Sequence, residues 1–284
     1  MLTLSKDEIR EHVRRALAED IGPGDVTTLA TVPAESRGKA SMVAREPLVV
    51  AGLALAEAAF VELSAEIAVE IQVPDGSRAR AGEVLLRVRG PTRAILTAER
   101  VALNFVQRLS GIATLTAEFV AAVKGTRARI LDTRKTTPGW RRLEKYAVSC
   151  GGGTNHRTGL HDLVLIKDNH LAALRAEVPN PIAAAVARAR AAFPALKVEV
   201  EVDRLEQVSQ AVEAGADIIL LDNMDPEQLR QAVALIDQRA VTEASGCVNL
   251  NIVGAMAATG VDFISVGALT HSARAVDIGL DFES

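Results

Sequence analysis

Apolar positions near the start of the chain recur at helical spacing. Ile9, Val13 and Leu17 share one face, and Ser5 with Glu8 reads as a capping box. The pattern predicts a first helix that stops near Asp20, where Ile-Gly-Pro-Gly follows. The rhythm then shortens to β-like runs at Lys39–Arg45, Pro47–Val50, Glu66–Val73 and Val84–Val88. Turn residues in Val73–Leu86 resemble those of lipoyl or biotinyl carrier domains, but no lysine sits at such a turn, so a carrier role is not expected. From Pro91 to Lys124 the pattern is helical, with a break expected at Ser110–Gly111.

Beyond this point strand-like runs alternate with helical stretches. The strands are Ala128–Leu131, Leu163–Ile166, Val198–Val202, Asp217–Leu221, Ala240–Thr242 and Phe263–Val266. Helices are expected at Pro181–Ala192, Leu205–Ala214, Pro226–Leu235 and Leu250–Thr259. Repeated βα units imply an α/β fold with a parallel sheet. Glu213–Asp217 and Ala258–Asp262 read as helix-stop, strand-start turns. Each strand runs into polar residues: Asp132-Thr-Arg-Lys135, Lys167-Asp-Asn169, Glu201 with Asp203, Asp222-Asn223, Glu243 with Ser245-Gly246, and Gly267. Strand ends of a βα barrel converge on one mouth, where active sites form.

Composition narrows the class. The chain has 284 residues, 49% hydrophobic and 24% charged, which excludes disorder and collagen-like structure. A net charge of −4 argues against a nucleic-acid binder. Two cysteines, Cys150 and Cys247, make neither a disulfide framework nor a four-cysteine zinc site, and both read as small buried residues. There is no apolar run of about 18 residues to span a bilayer, and the charged N-terminus lacks a signal core. A soluble, cytoplasmic protein without a membrane partner is expected.

Charge is uneven, however. From Arg127 to His170 there are nine Lys/Arg against four Asp/Glu, together with His156, His161 and His170. A solvated basic face or a pocket for a polyanion would each produce this. Arg134, Lys135, His156, Arg157 and Lys167 are candidate anion donors, with planar guanidinium forks suited to carboxylate or phosphate. Glu201 and Asp222 suggest Mg²⁺ held together with substrate phosphates. Gly151-Gly-Gly153 offers backbone N–H groups to an anion, and Ser245-Gly246 reads as a phosphate site before a helix. Lys167 could instead form a Schiff base, and Glu199, Glu201 and Asp203, alternating on one strand face, include structural ion-pair members. Trp140 and Tyr146 read as packing residues. No P-loop or dinucleotide fingerprint occurs.

Asp132-Thr-Arg-Lys-Thr-Thr-Pro-Gly139, Glu144-Lys-Tyr-Ala-Val148, Gly151-Gly-Gly-Thr-Asn-His-Arg157 and Leu165-Ile-Lys-Asp-Asn-His170 together resemble the quinolinate phosphoribosyltransferase family. Glu19–Thr28, Glu99–Asn104, Leu109–Ala113, Glu199–Asp203, Leu220–Asn223 and Gly267–Ser272 extend the likeness over nearly the whole chain. The resemblance implies an N-terminal open α/β sandwich over residues 1–109, with 272–284 packing on it. It implies an incomplete, seven-stranded βα barrel over 110–271. It implies transfer of phosphoribosyl from phosphoribosyl pyrophosphate to quinolinate, with decarboxylation to nicotinate mononucleotide, pyrophosphate and CO₂, a step of NAD biosynthesis that uses Mg²⁺. By the same likeness Arg134, His156 and Arg157 hold quinolinate, and Arg100 is contributed by the partner subunit of a homodimer or larger oligomer. Arg45, Thr133, Lys135 and Lys167 line the pocket. Glu201 and Asp222 hold the metal and the ribose, and Ser245, Gly246, Gly267 and His271 contact phosphate. Lys135, Lys167, Glu201 and Asp222 are the catalytic set. Cys247 departs from the family's second glycine after Ser-Gly. The alternatives are a paralogous phosphoribosyltransferase-like protein of molybdenum transport, a non-catalytic anion-binding barrel, and a Schiff-base aldolase.

Overall fold

The computed structural model describes residues 2–283. In chain order the helices are α1 (Lys6–Ile21), α2 (Val26–Thr31), α3 (Leu53–Leu63), α4 (Thr92–Ala122), α5 (Arg141–Cys150) and α6 (Asp168–Ala173), then α7 (Pro181–Ala192), α8 (Leu205–Glu213), α9 (Pro226–Ile236), α10 (Val253–Ala257) and α11 (Ala268–His271). The strands are β1 (Arg37–Ala44), β2 (Leu48–Val49), β3 (Ala68–Ile71), β4 (Arg78–Ala79), β5 (Val84–Pro91) and β6 (Arg129–Leu131). The remainder are β7 (Val164–Ile166), β8 (Val198–Val202), β9 (Ile218–Asp222), β10 (Val241–Ser245), β11 (Phe263–Ser265) and β12 (Ile278–Phe282). They form two compact units. One comprises residues 1–117, 138–152 and 272–284, and the other 118–137 and 153–271.

The first unit is built on an antiparallel sheet of order β12-β1-β5-β3. Alternation along β5 buries Leu86 and Val88 while Arg87 and Arg89 face solvent. Helix α1 begins on the expected capping box: Ser5 Oγ accepts from Glu8 N at 3.2 Å, and Glu8 Oε2 accepts from Ser5 N at 2.9 Å. Its buried stripe is Val13 and Leu17, while Arg10 and Arg14 reach Glu62 on α3. Phe105 and Trp140 stack with ring centroids 5.3 Å apart, and the Tyr146 hydroxyl donates to Asp75 Oδ2 at 2.6 Å. Both aromatics are packing residues.

The expected break at Ser110–Gly111 is absent, because α4 runs unbroken for 31 residues. These two residues mark close packing instead. Ser110 Oγ bonds the Ala51 backbone, at 2.9 Å from its N and 3.2 Å from its O. A Cβ on Gly111 would lie 1.9 Å from the Arg274 carbonyl oxygen. The glycine therefore lets the C-terminal segment lie directly on the helix.

The second unit carries a six-stranded parallel sheet of order β6-β11-β10-β9-β8-β7. A single parallel bridge from Leu131 to Thr154 extends it beyond β6, so the described residues form six strands and one bridge where the resemblance implies seven strands. The sheet thus remains open between that bridge and β7. Helices α7, α8 and α9 cover it with short apolar stripes, such as Leu229, Ala232 and Ile236 at i, i+3, i+7. The turns at Gly215 and Gly260 adopt the left-handed conformation that stops a helix and starts a strand.

Two outcomes follow for stability. Gly111→Ala gains helix propensity but collides with the Arg274 carbonyl. We expect a net loss of about 1–3 kcal/mol by denaturant unfolding, and a more stable variant would contradict the close approach. Glu46 accepts from Arg274 Nη1 at 2.7 Å, Arg274 Nη2 at 2.5 Å and Asp277 N at 2.8 Å, which lowers its pKa to about 2. A depressed carboxyl stabilises the fold above its unfolded pKa of about 4.3, and that stability is lost as pH falls towards 2. Glu46→Gln should be less stable at pH 7 and show a shallower loss between pH 4 and 2 in denaturant titrations.

Candidate active site

One end of the parallel sheet gathers the polar strand ends. Thr133, Arg134 and Lys135 follow β6, His156 and Arg157 follow the Thr154 bridge, and Lys167 follows β7. Glu201 lies on β8, Asp222 closes β9, Ser245 closes β10 with Gly246 next, and Gly267 follows β11. Register sets the row of each side chain, though not its burial. Glu201 and Glu243 both pair with Leu220 and share one row, whereas Asp222 and Ser245 pair one step higher. Arg45 and Arg100 belong to the first unit, where both are exposed and Arg45 pairs with Asp281.

The cationic side is anchored by a buried acid. Asp132 is fully buried; Oδ1 accepts from His156 N at 2.8 Å, and Oδ2 accepts from Asn155 Nδ2 at 2.7 Å. His156 Nδ1 accepts the Arg157 N–H at 2.7 Å. Its Nε2 stands 3.1 Å from Glu199 Oε2 and 3.3 Å from Glu243 Oε2, both buried. Burial disfavours the imidazolium, but the adjacent Glu199 and Glu243 carboxyls outweigh it and raise the His156 pKa to about 10. Burial raises the Glu199 pKa, with the Glu243 charge adding to it and His156 opposing it. Neither Glu199 oxygen receives a well-directed hydrogen bond, so Glu199 faces His156 as a close polar neighbour.

Arg134 and Arg157 are both partly buried. Burial and the adjacent Arg134 charge lower the Arg157 pKa, and Arg157 Nη1 donates to Leu163 O at 3.2 Å. Arg134 Nε is buried with no hydrogen-bond acceptor. Among the described residues neither guanidinium forms an ion pair.

The acidic side is a cleft of about 550 Å³ whose lining includes Asp168, Asn180, Glu201, Asp203 and Asp222. Lys167 Nζ lies 3.2 Å from Glu201 Oε2, and Asn223 Nδ2 donates to Asp222 Oδ2 at 2.7 Å. A Schiff-base lysine is activated by desolvation in an apolar pocket or by a neighbouring cation. Lys167 is half-exposed and paired with a carboxylate, so the aldolase reading loses its basis.

Two phosphate expectations change. The amides of Gly151 and Gly152 close the end of α5 on Ala147 O and Ser149 O and are not open to an anion. Gly151 is small because a Cβ would lie 2.3 Å from Ala113 O. After β10 no helix begins at Gly246, since α10 starts only at Val253. The loop instead turns through Gly246 (φ 110°) and Cys247 (φ 45°), and a Cβ on Gly246 would lie 2.3 Å from Asn223 Oδ1. Cys247 is exposed, not buried as expected, and holds a left-handed conformation that glycine adopts more readily. Gly267 leaves room between Lys135 and His271, with a Cβ there 3.0 Å from Lys135 Cδ and 3.1 Å from His271 Nε2. Thr133 Oγ1 accepts from Lys135 N at 3.0 Å and shapes that turn. The residue-by-residue reading missed Asn223 and Asp132 as organisers of these loops. Their only signal was their place at a strand end.

Comparison with known proteins agrees with this architecture. The model of the quinolinate phosphoribosyl transferase C-terminal domain matches residues 112–281, and that of the N-terminal domain matches residues 25–110. The nicotinate-nucleotide pyrophosphorylase [carboxylating] of Mycobacterium leprae is 49% identical over 281 residues, covering 97% of each chain. A probable enzyme of the same name from Bacillus subtilis is 42% identical, covering 96% of this chain and 93% of its own. The crystal structure of NadC from Streptococcus pyogenes superposes with a TM-score of 0.94 at 41% identity over the full length of both chains. The nicotinate-nucleotide pyrophosphorylase of Francisella tularensis gives 0.93 at 39%, covering 99% of this chain and 98% of its own. No described helix is long and apolar enough to cross a membrane. With both domain models matched and these relatives aligned end to end, the chain belongs to the quinolinate phosphoribosyltransferase family.

Proposed function

We propose that this chain transfers phosphoribosyl from phosphoribosyl pyrophosphate to quinolinate and releases nicotinate mononucleotide, pyrophosphate and CO₂. The observation that carries the site assignment is the pair Arg134 and Arg157. Two guanidinium groups are crowded together, partly desolvated, without a carboxylate partner, and one keeps a buried donor unused. Such a pair favours a ligand with two adjacent negative charges, and vicinal pyridine carboxylates supply them. A molybdenum-transport paralogue with another acceptor is not supported, because the relatives carry the carboxylating name.

Arg134 and Arg157 orient the dianion, and Lys135 and Lys167 offset its repulsion from the sugar pyrophosphate. As pyrophosphate leaves C1′, positive charge grows on the ribose ring. Glu201 and Asp222, on the floor of the acidic cleft, stabilise it. The ring nitrogen attacks C1′ and becomes cationic. The C–C bond to the 2-carboxylate then breaks as CO₂ leaves, its electron pair stays on C2 as an ylide stabilised by the adjacent cationic nitrogen, and a proton adds to C2. Ser245, Gly246, Gly267 and His271 would take phosphate oxygens.

Mg²⁺ fits the donor set. Glu201 and Asp222 each have one oxygen engaged, by Lys167 and Asn223, and a second left for the cleft. Two carboxylates plus substrate phosphates are what Mg²⁺ accepts. Bound with the pyrophosphate, it would offset leaving-group charge. We extend the proposal to a homodimer in which Arg100 of one protomer serves the other's site, and to a cytoplasmic location, in keeping with two free thiols.

The decisive assay mixes protein, quinolinate, phosphoribosyl pyrophosphate and Mg²⁺ and follows nicotinate mononucleotide by mass, with nicotinate in a parallel tube. Product from quinolinate alone is expected; product from nicotinate alone would refute the acceptor. Arg134→Ala and Arg157→Ala should each cost about 2–4 kcal/mol, roughly 30- to 1,000-fold in kcat/KM for quinolinate. Unchanged kinetics in both would remove the assignment. Gly246→Ala pushes a methyl into Asn223. It should raise KM for phosphoribosyl pyrophosphate at least tenfold while quinolinate affinity, read by calorimetry, stays within about twofold.

A further inference from the structure

We propose that Thr270 is a positioning residue for Lys135, its hydroxyl clipping the loop after β6 to the turn that carries Gly267 and His271. The inference rests on the phosphoribosyl pyrophosphate reading for what Lys135 meets, and on geometry for the clip itself. The two loops leave the sheet from neighbouring strands. Pairing of β6 with β11 runs up to Leu131 and Ser265, and Val266 N still donates to Leu131 O at 2.9 Å. Past that point the ladder has ended. Thr270 Oγ1 then donates to Lys135 O at 2.7 Å and links the two segments again.

The usual role of a threonine hydroxyl in a helical turn is a bond back to that turn. Gly267 O does lie 3.3 Å from Thr270 Oγ1, but it already accepts from Thr270 N and His271 N, each at 3.2 Å. A carbonyl oxygen has two lone pairs and a hydroxyl has one proton, so the proton goes to the nearer acceptor, Lys135 O. Thr270 is fully buried, and its branched Cβ restricts χ1, so the hydroxyl keeps that aim. Helix α11 is only four residues long and gains little rigidity from its own bonds. The bond to Lys135 ties it to a longer framework.

Lys135 is exposed and carries a flexible four-carbon stem, so the reach of its Nζ depends on how its backbone is held. Threonine hydroxyls hold both backbone polar groups. Thr133 Oγ1 accepts from Lys135 N at 3.0 Å, and Thr270 Oγ1 donates to Lys135 O at 2.7 Å. The stem thereby lies over Gly267, where an added Cβ would sit 3.0 Å from Lys135 Cδ and 3.1 Å from His271 Nε2. A cation and an imidazole thus flank one glycine, an arrangement suited to a phosphate oxygen. Without the clip each loop keeps its residue, but the spacing between Lys135 and His271 is no longer set.

The test separates positioning from bulk structure. Thr270→Val keeps the side-chain shape and removes the donor, whereas Thr270→Ser keeps the donor. Calorimetry with phosphoribosyl pyrophosphate and Mg²⁺ should show about five- to tenfold weaker binding for Thr270→Val, with Thr270→Ser within about twofold of wild type. Thr270→Ala, which also lacks the donor, should weaken binding at least as much. In a Lys135→Ala background Thr270→Val should cost nothing further, because its effect runs through that lysine. Full additivity, or an equal loss in Thr270→Ser, overturns the proposal. Amide hydrogen exchange reads the clip without any ligand. Thr270→Val should speed exchange across residues 132–137 and 267–272 and leave residues 198–222 as in wild type; unchanged exchange across 132–137 refutes the clip. Should wild-type protein fail to bind phosphoribosyl pyrophosphate, the functional reading falls while exchange still decides the clip.

Discussion

Positive charge must be concentrated at one end of the parallel sheet, and it cannot be concentrated without counter-charge beneath it. Arg134, Lys135, Arg157 and Lys167 crowd the strand ends, where mutual repulsion would open the loops. The fold answers with acids at graded depth. Asp132 and Glu243 lie buried below the guanidinium pair, Glu199 beside them is held closer to neutral, and Glu201 meets Lys167 at the rim. Lys167 thus has a direct carboxylate partner, whereas the two guanidinium groups have none among the described residues that would compete with an incoming anion. Arg134 and Arg157 remain available because the acids stop one layer short of them.

A two-residue period makes this grading automatic. On β8 the side chains of Glu199 and Glu201 project from the same face one row apart, and the first is sealed in the interior while the second opens on the cleft. Two identical side chains two positions apart thereby take different electrostatic roles, set by height in the barrel. Asn223 does the equivalent work between loops: it orients Asp222, accepts a left-handed backbone at φ 54°, and packs under Gly246.

Much of this was legible before any coordinates. Strand ends announced the mouth, since a polar cluster after each apolar run has no other reason to recur. The capping box at Ser5 and the turns at Gly215 and Gly260 are local signals, and local signals survive folding. What the sequence hid was long-range. Ser110-Gly111 looked like a helix break, because nothing in the neighbouring residues tells that a segment from the far end of the chain lies against it. Gly151-Gly-Gly153 looked like an anion cradle, because whether an amide is free depends on where the preceding helix stops. Glu199 could be placed on a face but not at a depth, and depth decides whether a carboxyl serves as a ligand group or as a buried support.

The antiparallel sheet of the first unit has an outcome in time as well as in space. Its strand β1 takes partners from opposite ends of the sequence, β5 on one side and β12, at residues 278–282, on the other. The parallel sheet, by contrast, draws all its strands from one continuous stretch, Arg129 to Ser265. During synthesis the strands of that stretch all emerge before β12, while β1 still lacks its second neighbour. The part of the protein made first is therefore the part finished last, and the unpaired edge of β1 is the surface a nascent chain must keep from pairing elsewhere.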